Sequence, residues 1–249
     1  MGSTHMCKCK SHSSSMPSCP LSVCPKREKD QRSKHKARAS ATMDHLLRFE
    51  RGAEAIAALF NPLCDSVMGG SSTASVSAQQ DPAGEHEHFL RIRGELVTAG
   101  GGFAGAAVKL PQQGGTEGSG GGGCAESRAL QICGRAPAGT GVDGVVGNSE
   151  GRTWKVVLQS ATTGRLSYQC AFEPPAEWGV VELPFSSFVP SVRGRHDPDA
   201  PPLDTASLST FGVRCSVFGQ PTDGGRGRRD EAAMPGLFTL DLLWVRSVL

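Results

Sequence analysis

The chain has 249 residues and 38% apolar content, enough for one β domain with appendages or for two small domains. No run approaches the roughly 18 apolar residues of a membrane-spanning helix. The nine cysteines follow no signal-type segment and do not form the even disulfide framework of a small secreted protein. The net charge of +2 hides an asymmetry, since residues 1–40 hold six Lys and three Arg against Glu28 and Asp30, which makes them +7 and the remainder −5.

The basic segment at residues 1–42 is rich in Ser and Lys and poor in aromatic residues, so it cannot bury enough surface to fold alone. We predict a disordered basic tail. Its composition suits an organelle transit segment. The alternatives are a disordered tail without a targeting role, or a mispredicted start codon, with Met43 as the true initiator. Its Cys and His residues lack the paired spacing of structural zinc, so no metal site is predicted there: Cys7, Cys9, His12, Cys19 and Cys24.

The folded domain is predicted over residues 43–249 and begins with a helix at His45–Phe60. Its apolar side chains repeat at intervals of three and four residues, as on one face of a helix: Leu46, Phe49, Ala53, Ile56 and Phe60. Pro62 prevents continuation of the helix. We expect this helix to pack against an open face or end of the domain.

The next segments are rich in glycine. Asp65–Gly70 is predicted to be a structural turn, because the two glycines permit positive φ and Asp65 can accept hydrogen bonds from nearby backbone N–H groups; the alternative is a ligand site. Gly100, Gly102 and Gly105 match the G-x-G-x-x-G dinucleotide pattern. No helix is predicted after them, so the glycines indicate close strand packing or a β-bulge instead of a nucleotide site.

Period-two alternation predicts a series of short strands separated by turn-rich links. The predicted strands are Phe89–Leu96, Ala129–Cys133, Trp154–Gln159, Leu166–Phe172, Val180–Pro184, Thr210–Val217 and Leu237–Val245. The last is apolar except at Thr239 and Asp241, which suits a central strand covered on both faces. Gly-rich insertions are predicted at residues 112–126, 135–151 and 219–236. The fold class is therefore mainly β, a sandwich of roughly eight strands with one N-terminal helix.

Catalytic chemistry has no support in the sequence. There is no G-x-S-x-G nucleophile elbow and no P-loop. His86 and His88 have the H-x-H spacing of metal ligands, but a solvated loop before a strand is the favoured explanation. We predict no catalytic residues, no metal and no cofactor, and hence a protein that is not an enzyme.

The most informative stretch is Trp178–Asp204. It begins as a strand in which Val181, Leu183 and Phe185 share one face, and Pro184 ends regular pairing. It continues into Arg193, Gly194, Arg195 and Asp197, in a segment stiffened by Pro190, Pro198, Pro201 and Pro202. The two arginines either meet a partner, since arginine is favoured at interfaces, or bridge Asp197, Asp199 or Asp204 within the loop.

Three ordered motifs resemble the complex I intermediate-associated protein 30 family. They are DSVMGGS at Asp65–Ser71, GGGFA at Gly100–Ala104, and W-x-x-V-x-L-P-F-S-S-F-V-P-S-x-R-G-R from Trp178 to Arg195. The resemblance implies a galactose-binding-like jelly-roll β-sandwich. It places structural motif residues at Asp65, Met68, Gly69, Gly70, Gly101, Gly102, Phe103, Trp178, Pro184, Phe185 and Phe188, and the R-G-R motif at Arg193, Gly194 and Arg195.

The resemblance also implies a function: a non-catalytic assembly factor that binds intermediates of mitochondrial NADH:ubiquinone oxidoreductase and other assembly factors, at most peripheral to the membrane. The first alternative is a chloroplast biogenesis factor associated with photosynthetic complexes or RNA, because the family has such relatives in photosynthetic organisms. A carbohydrate-binding module is the second. Such modules stack sugars on exposed aromatics, whereas Trp154 and Tyr168 lie in predicted strands. DNA binding is not expected, and no basic and aromatic platform for RNA is evident in the domain.

Overall fold

The computed structural model describes residues 45–50, 52–82, 84, 86–111, 126–137, 152–222, 225–229 and 235–249. The basic tail and most of the first two Gly-rich insertions lie outside these residues, so the predictions made for them are not addressed. In the described part of the chain no helix is long and apolar enough to cross a membrane.

Thirteen strands and one short helix form the described part of the domain. In chain order they are β1 (His45–Arg48), α1 (Ala53–Ala57), β2 (Asn61–Cys64), β3 (Thr73–Gln80), β4 (His88–Leu96), β5 (Phe103–Lys109), β6 (Ala129–Arg135), β7 (Thr153–Ser160), β8 (Ser167–Phe172), β9 (Gly179–Pro184), β10 (Val189–Val192), β11 (Arg195–His196), β12 (Leu208–Ser216) and β13 (Gly236–Val248). Short 3₁₀ turns at Asp65–Met68, Phe185–Ser187 and Thr205–Ser207 connect them.

The strands form two antiparallel sheets, as the sequence predicted for a β-sandwich. One has six strands in the order β3-β4-β13-β6-β9, with β1 paired to β13 beside the end of β4. The other has seven, in the order β11-β10-β8-β7-β12-β5-β2. The predicted central position of the last strand is confirmed, because β13 pairs with β4 on one side and β6 on the other.

The core lies between the sheets and is built from alternate residues of each strand. On β7 the core residues are Trp154, Val156 and Leu158, and on β12 they are Phe211, Val213 and Cys215, all at most 1% exposed. The predicted alternation of these strands is therefore confirmed. The residues that alternate with these core residues on β7 and β12 point to the outer face of the seven-stranded sheet, and this face matters for function.

The predicted helix at His45–Phe60 is wrong over most of its length. Residues His45–Arg48 form β1 on the edge of β13, and the Phe49 N–H donates to the carbonyl of Leu243. Gly52, with φ of 72°, precedes a helix of five residues only. Leu46 and Phe49 still pack on the core, so the apolar pattern correctly indicates which side chains are buried. The secondary structure differs because pairing with β13 outweighs the helical spacing of these residues.

Candidate functional site

A buried carboxylate joins the two glycine-rich motifs. Asp65 begins the 3₁₀ turn after β2 and is fully buried. Its Oδ1 accepts the Ser72 N–H at 3.0 Å, and its Oδ2 accepts the Ser72 hydroxyl at 2.7 Å and the Gly102 N–H at 2.6 Å. The Phe103 N–H is a fourth, longer donor at 3.4 Å. Asp65 therefore ties the turn to the start of β5, 37 residues away.

Two glycines make room for that carboxylate. A Cβ on Gly70 would lie 2.2 Å from Asp65 Cγ, and one on Gly101 would lie 2.3 Å from Asp65 Oδ2. Either side chain would push the carboxylate off its donors. Gly102 is also constrained, since its φ of 132° is one that residues with a side chain rarely adopt.

The hydrogen bonds keep this carboxylate ionised. Burial alone would raise the pKa of Asp65, but the donors on Ser72, Gly102 and Phe103 outweigh that cost and hold the pKa below its usual value. The turn is thus a structural unit in the folded domain. It places the side chains of Met68 and Phe103 at the edge of a cavity on the seven-stranded sheet.

That cavity has a volume of about 540 Å³ and lies on the outer face of the seven-stranded sheet. Its floor comes from the polar positions of three neighbouring strands: Lys155 on β7, Gln169 on β8, and Arg214 and Ser216 on β12. Its walls come from Met68, Phe103 and Phe218, together with the tip of the β10–β11 hairpin and with Gly219, Pro221, Arg226 and Gly227. We call it the basic pocket.

Lys155 and Arg214 are the central residues of the basic pocket. They are directly opposite each other on β7 and β12, so both side chains rise from the same face at neighbouring positions. Lys155 is 3% exposed and donates one hydrogen bond from Nζ to the Gly219 carbonyl at 2.6 Å. The Arg214 guanidinium lies 5.6 Å from the centre of the Phe103 ring, and its buried Nε has no hydrogen-bond partner among the described residues.

Burial alters the acid–base behaviour of both cations. Desolvation, helped by the positive charge of Arg214, lowers the pKa of Lys155 from 10.5 to about 7. Desolvation lowers the pKa of Arg214 from 12.5 to about 10, so Arg214 stays charged at neutral pH. The described residues that line the basic pocket include no aspartate or glutamate to offset these charges.

The lowered pKa of Lys155 predicts a measurable pH effect on stability. Between about pH 7 and 10.5 the unfolded chain holds a proton on this lysine that the folded protein has released. Stability should therefore rise with pH across that window. Lys155→Met should flatten the rise. Chemical unfolding of both proteins at pH 7 and pH 9 checks this, and equal slopes would show that the buried lysine keeps its ordinary pKa.

The R-G-R motif forms the tip of a tight hairpin. Val192 pairs with Arg195, and Arg193 and Gly194 between them have φ of 52° and 78°. Two consecutive positive φ values define the two-residue turn that suits the twist of a hairpin. Glycine adopts such a φ freely, whereas an arginine there is strained. Among the described residues Arg193 is the only non-glycine with positive φ.

The arginines of this hairpin have no acidic partner in the described part of the chain. The ion pairs considered from the sequence, with Asp197, Asp199 or Asp204, do not form. Asp197 accepts the Asp199 N–H at 3.3 Å, and Asp204 accepts Ala206 and Thr162 at 3.1 and 3.0 Å. Arg193 and Arg195 are exposed, and Arg193 and Gly194 line the basic pocket. The structure thus brings residues of all three sequence motifs together at one cavity.

The remaining motif residues lie away from the basic pocket. Trp178 covers the outer face of the six-stranded sheet, where the Arg135 guanidinium stacks 4.2 Å from its ring centre. Pro184 ends β9 opposite Ala129, and the Phe188 ring is buried in the core with the half-buried Phe185 packed against it. His86 contacts the Trp178 ring, and no group of three His, Cys, Asp or Glu suited to a metal occurs among the described residues.

Sequence reasoning missed Lys155 and Arg214. Both stand between core residues in alternating strands, where a cation ordinarily faces solvent. The signal that distinguishes them is their register: β7 and β12 pair so that the two cations are adjacent, and each strand also has a neighbour on its other side. A cation in the middle of a sheet has less access to water than one at its edge.

Comparison with solved structures finds similar β-sandwiches at low sequence identity. The family 11 carbohydrate-binding module of a cellulosomal cellulase of Clostridium thermocellum is 13% identical, with a TM-score of 0.47, over 84% of this chain and 96% of that one. The solution structure of a Clostridium thermocellum family 11 module is 14% identical, with a TM-score of 0.49, over 84% and 97%. An exo-β-agarase is 10% identical, with a TM-score of 0.43, over 83% of this chain and 26% of that one.

Comparison at the level of sequence is more informative. No curated protein sequence matches significantly. A family model described as complex I intermediate-associated protein 30 matches residues 49–242, which span all three motifs and every strand from β2 to β12. With most of its length matched in this way, the chain belongs to the complex I intermediate-associated protein 30 family.

Proposed function

We propose that the protein is a non-catalytic assembly factor that binds assembly intermediates of respiratory NADH:ubiquinone oxidoreductase, complex I. Family membership supports a role related to complex I assembly. It also favours the mitochondrion over the chloroplast as the site of action. The partner in this proposal is a protein subunit or another assembly factor.

The observation that carries the proposal is the exposed R-G-R hairpin. Arg193 holds a strained φ, and neither arginine side chain forms an ion pair in the described part of the chain. Backbone strain without an internal role is typical of a functional position. The planar guanidinium binds carboxylates through two parallel hydrogen bonds, so an acidic surface on a subunit is the partner that this tip fits.

The surroundings of the hairpin favour binding over a reaction. The side chains that line the basic pocket are cations, an amide, hydroxyls and apolar groups, which hold and orient a ligand. A carbohydrate site has less support, because Trp154 and Tyr168 are each 1% exposed and lie in the core, so neither offers a ring for a sugar to stack on.

We expect the double variant Arg193→Ala, Arg195→Ala to keep its melting temperature and lose its partners. Neither side chain has an ion pair to lose, and surface substitutions change stability by about 0.5 kcal/mol or less. The measurement is co-purification of complex I intermediates from organelles that express tagged wild-type or variant protein. Arg128→Ala, an exposed arginine before β6 in the other sheet, is the matched control and should retain the intermediates.

The two possible failures of this experiment are distinct. A fall in melting temperature of several degrees would mean that the arginines stabilise the fold after all. Unchanged stability with full recovery of the intermediates would remove the hairpin from the binding surface. If wild-type protein recovers no complex I subunit, the proposed assembly role itself is wrong.

A further inference from the structure

We propose that the basic pocket is a binding site for an organic phosphate, with the phosphate held by Lys155 and Arg214 and the apolar body of the ligand packed against Phe103 and Phe218. This inference rests on the geometry of the pocket and is independent of the assembly role. It assigns a small-molecule or headgroup ligand to a surface that also carries the R-G-R hairpin.

The charges are the first argument. Lys155 and Arg214 are directly opposite on adjacent strands, and like charges in that position destabilise a sheet. Two apolar or hydroxyl side chains would serve the sheet better. Lys155 is almost fully buried, Arg214 is partly buried with an unpaired buried Nε, and the described lining supplies no carboxylate to pair with them. A bound anion removes both penalties at once, which explains why this arrangement is tolerated.

The number of donors indicates a dianion. Arg193 and Arg226, which are exposed, also line the pocket, so four basic residues line one cavity, and Ser216 and Gln169 add neutral polar groups. A carboxylate, with one charge, would leave most of this positive charge unbalanced. A phosphate monoester carries close to two charges and three acceptor oxygens, and it matches both the Lys ammonium and the Arg fork.

The size and walls indicate an organic ligand. A cavity of about 540 Å³ falls within the range of small-molecule sites and far exceeds what a phosphate ion fills. Phe103, Phe218 and Met68 form apolar walls beside the cations. Arg214 already lies over the Phe103 ring, which leaves the N–H donors at the edge of the guanidinium for the anion.

The pocket is also held in shape before a ligand arrives. Besides the bond from Lys155 to the Gly219 carbonyl, the Gln220 side chain accepts the Ala171 N–H at 2.9 Å and donates to the Ser187 carbonyl at 3.2 Å. The His196 N–H donates to the Gly225 carbonyl at 2.8 Å and fixes this wall to β11. Ordered walls lower the entropic cost of binding.

The test is calorimetric titration of the full-length protein with phenyl phosphate, phenol and inorganic phosphate at low salt. We expect phenyl phosphate to bind, inorganic phosphate to bind at least tenfold more weakly, and phenol not to bind. Lys155→Met and Arg214→Met should each weaken phenyl phosphate binding at least tenfold. Arg128→Met, which removes a cation outside the pocket, should leave the affinity unchanged. A second arm uses flotation with phosphatidylcholine vesicles that contain or lack phosphatidic acid, to distinguish a lipid headgroup from a free metabolite.

Each possible result either supports or overturns phosphate binding in the basic pocket. Phenyl phosphate binding that depends on Lys155 and Arg214 supports the proposal, and phosphatidic acid-dependent flotation lost in the same variants identifies a headgroup as the source. Equal binding by wild-type protein and both Met variants would overturn it, as would no binding of phenyl phosphate by protein whose melting curve shows it to be folded. The melting curve of each Met variant is measured beside that of wild type, and a variant that is folded at the titration temperature shows that weaker binding is not unfolding.

Discussion

Asp65→Ala should destabilise the domain by about 3 kcal/mol, because it leaves the buried N–H of Gly102 and the N–H and hydroxyl of Ser72 without their charged acceptor. It should also release the turn from β5 and so open the edge of the basic pocket. For a domain of this size we expect a fall in melting temperature on the order of 10 °C. Thermal unfolding monitored by circular dichroism measures it.

The matched control is Asp199→Ala, an exposed carboxylate in the loop after the hairpin, which should change the melting temperature by no more than a degree or two. Acid provides a second check. The lowered pKa of Asp65 means that its contribution is fully present above the ordinary pKa of an aspartate and is lost as pH falls through the folded-state value. The variant should therefore lose less stability on acidification than wild type. A variant as stable as wild type at neutral pH would contradict the structural role of this carboxylate.

Asp241→Ala should cost a similar amount, about 3 kcal/mol, on the other sheet. Asp241 is fully buried on β13 and lies directly opposite Arg91 on β4 and Arg135 on β6. Arg91 binds both of its oxygens at 2.7 and 2.8 Å, and Arg135 donates to Oδ2 at 3.1 Å. Removing the carboxylate leaves two arginines repelling each other under Trp178 and Phe89. Denaturant unfolding gives the free-energy change.

Two further variants test whether the loss comes from the buried charge cluster. Glu182→Ala, which removes an exposed contact with Gln131 on the same sheet, should be nearly neutral. The triple replacement Asp241→Leu, Arg91→Met, Arg135→Met should recover much of the loss, because apolar groups can replace a buried charge cluster at little cost. A triple variant no more stable than Asp241→Ala alone would show that the cluster also fixes the register of the strands.

The strands that the sequence predicted well are those that contribute to the core at every second residue. Phe211 to Cys215 on β12 and Trp154 to Leu158 on β7 alternate because their core residues lie on one face of the strand. The segment Thr73–Gln80 was not predicted as a strand. It is β3, an edge strand whose inward residues are only Ala74, Val76 and Ala78, so its pattern is weak. The β1 segment was assigned to a helix because its partner, β13, lies far away in sequence.

The candidate site was only partly predictable for the same physical reason. The R-G-R motif is a local pattern, and its arginines could be named without knowing the fold. That Arg193 forms a positive-φ turn depends on β10 and β11 pairing, and that Lys155 meets Arg214 depends on the register of β7 against β12. Sequence fixes the residue types, whereas burial and adjacency, which shift the pKa of a lysine, arise only when distant strands pair.

The position of β13 has a consequence for how the protein is made. β4 and β6 do not pair with each other, and the strand that separates them is synthesised only after the chain has passed from Arg135 to Gly236. Until then both strands present unsatisfied hydrogen-bonding edges, which are prone to pair with other chains. The six-stranded sheet therefore cannot close progressively on the ribosome. A nascent chain of this kind is a natural client of chaperones, and its yield in cells should depend on their supply more strongly than the stability of the finished domain would suggest.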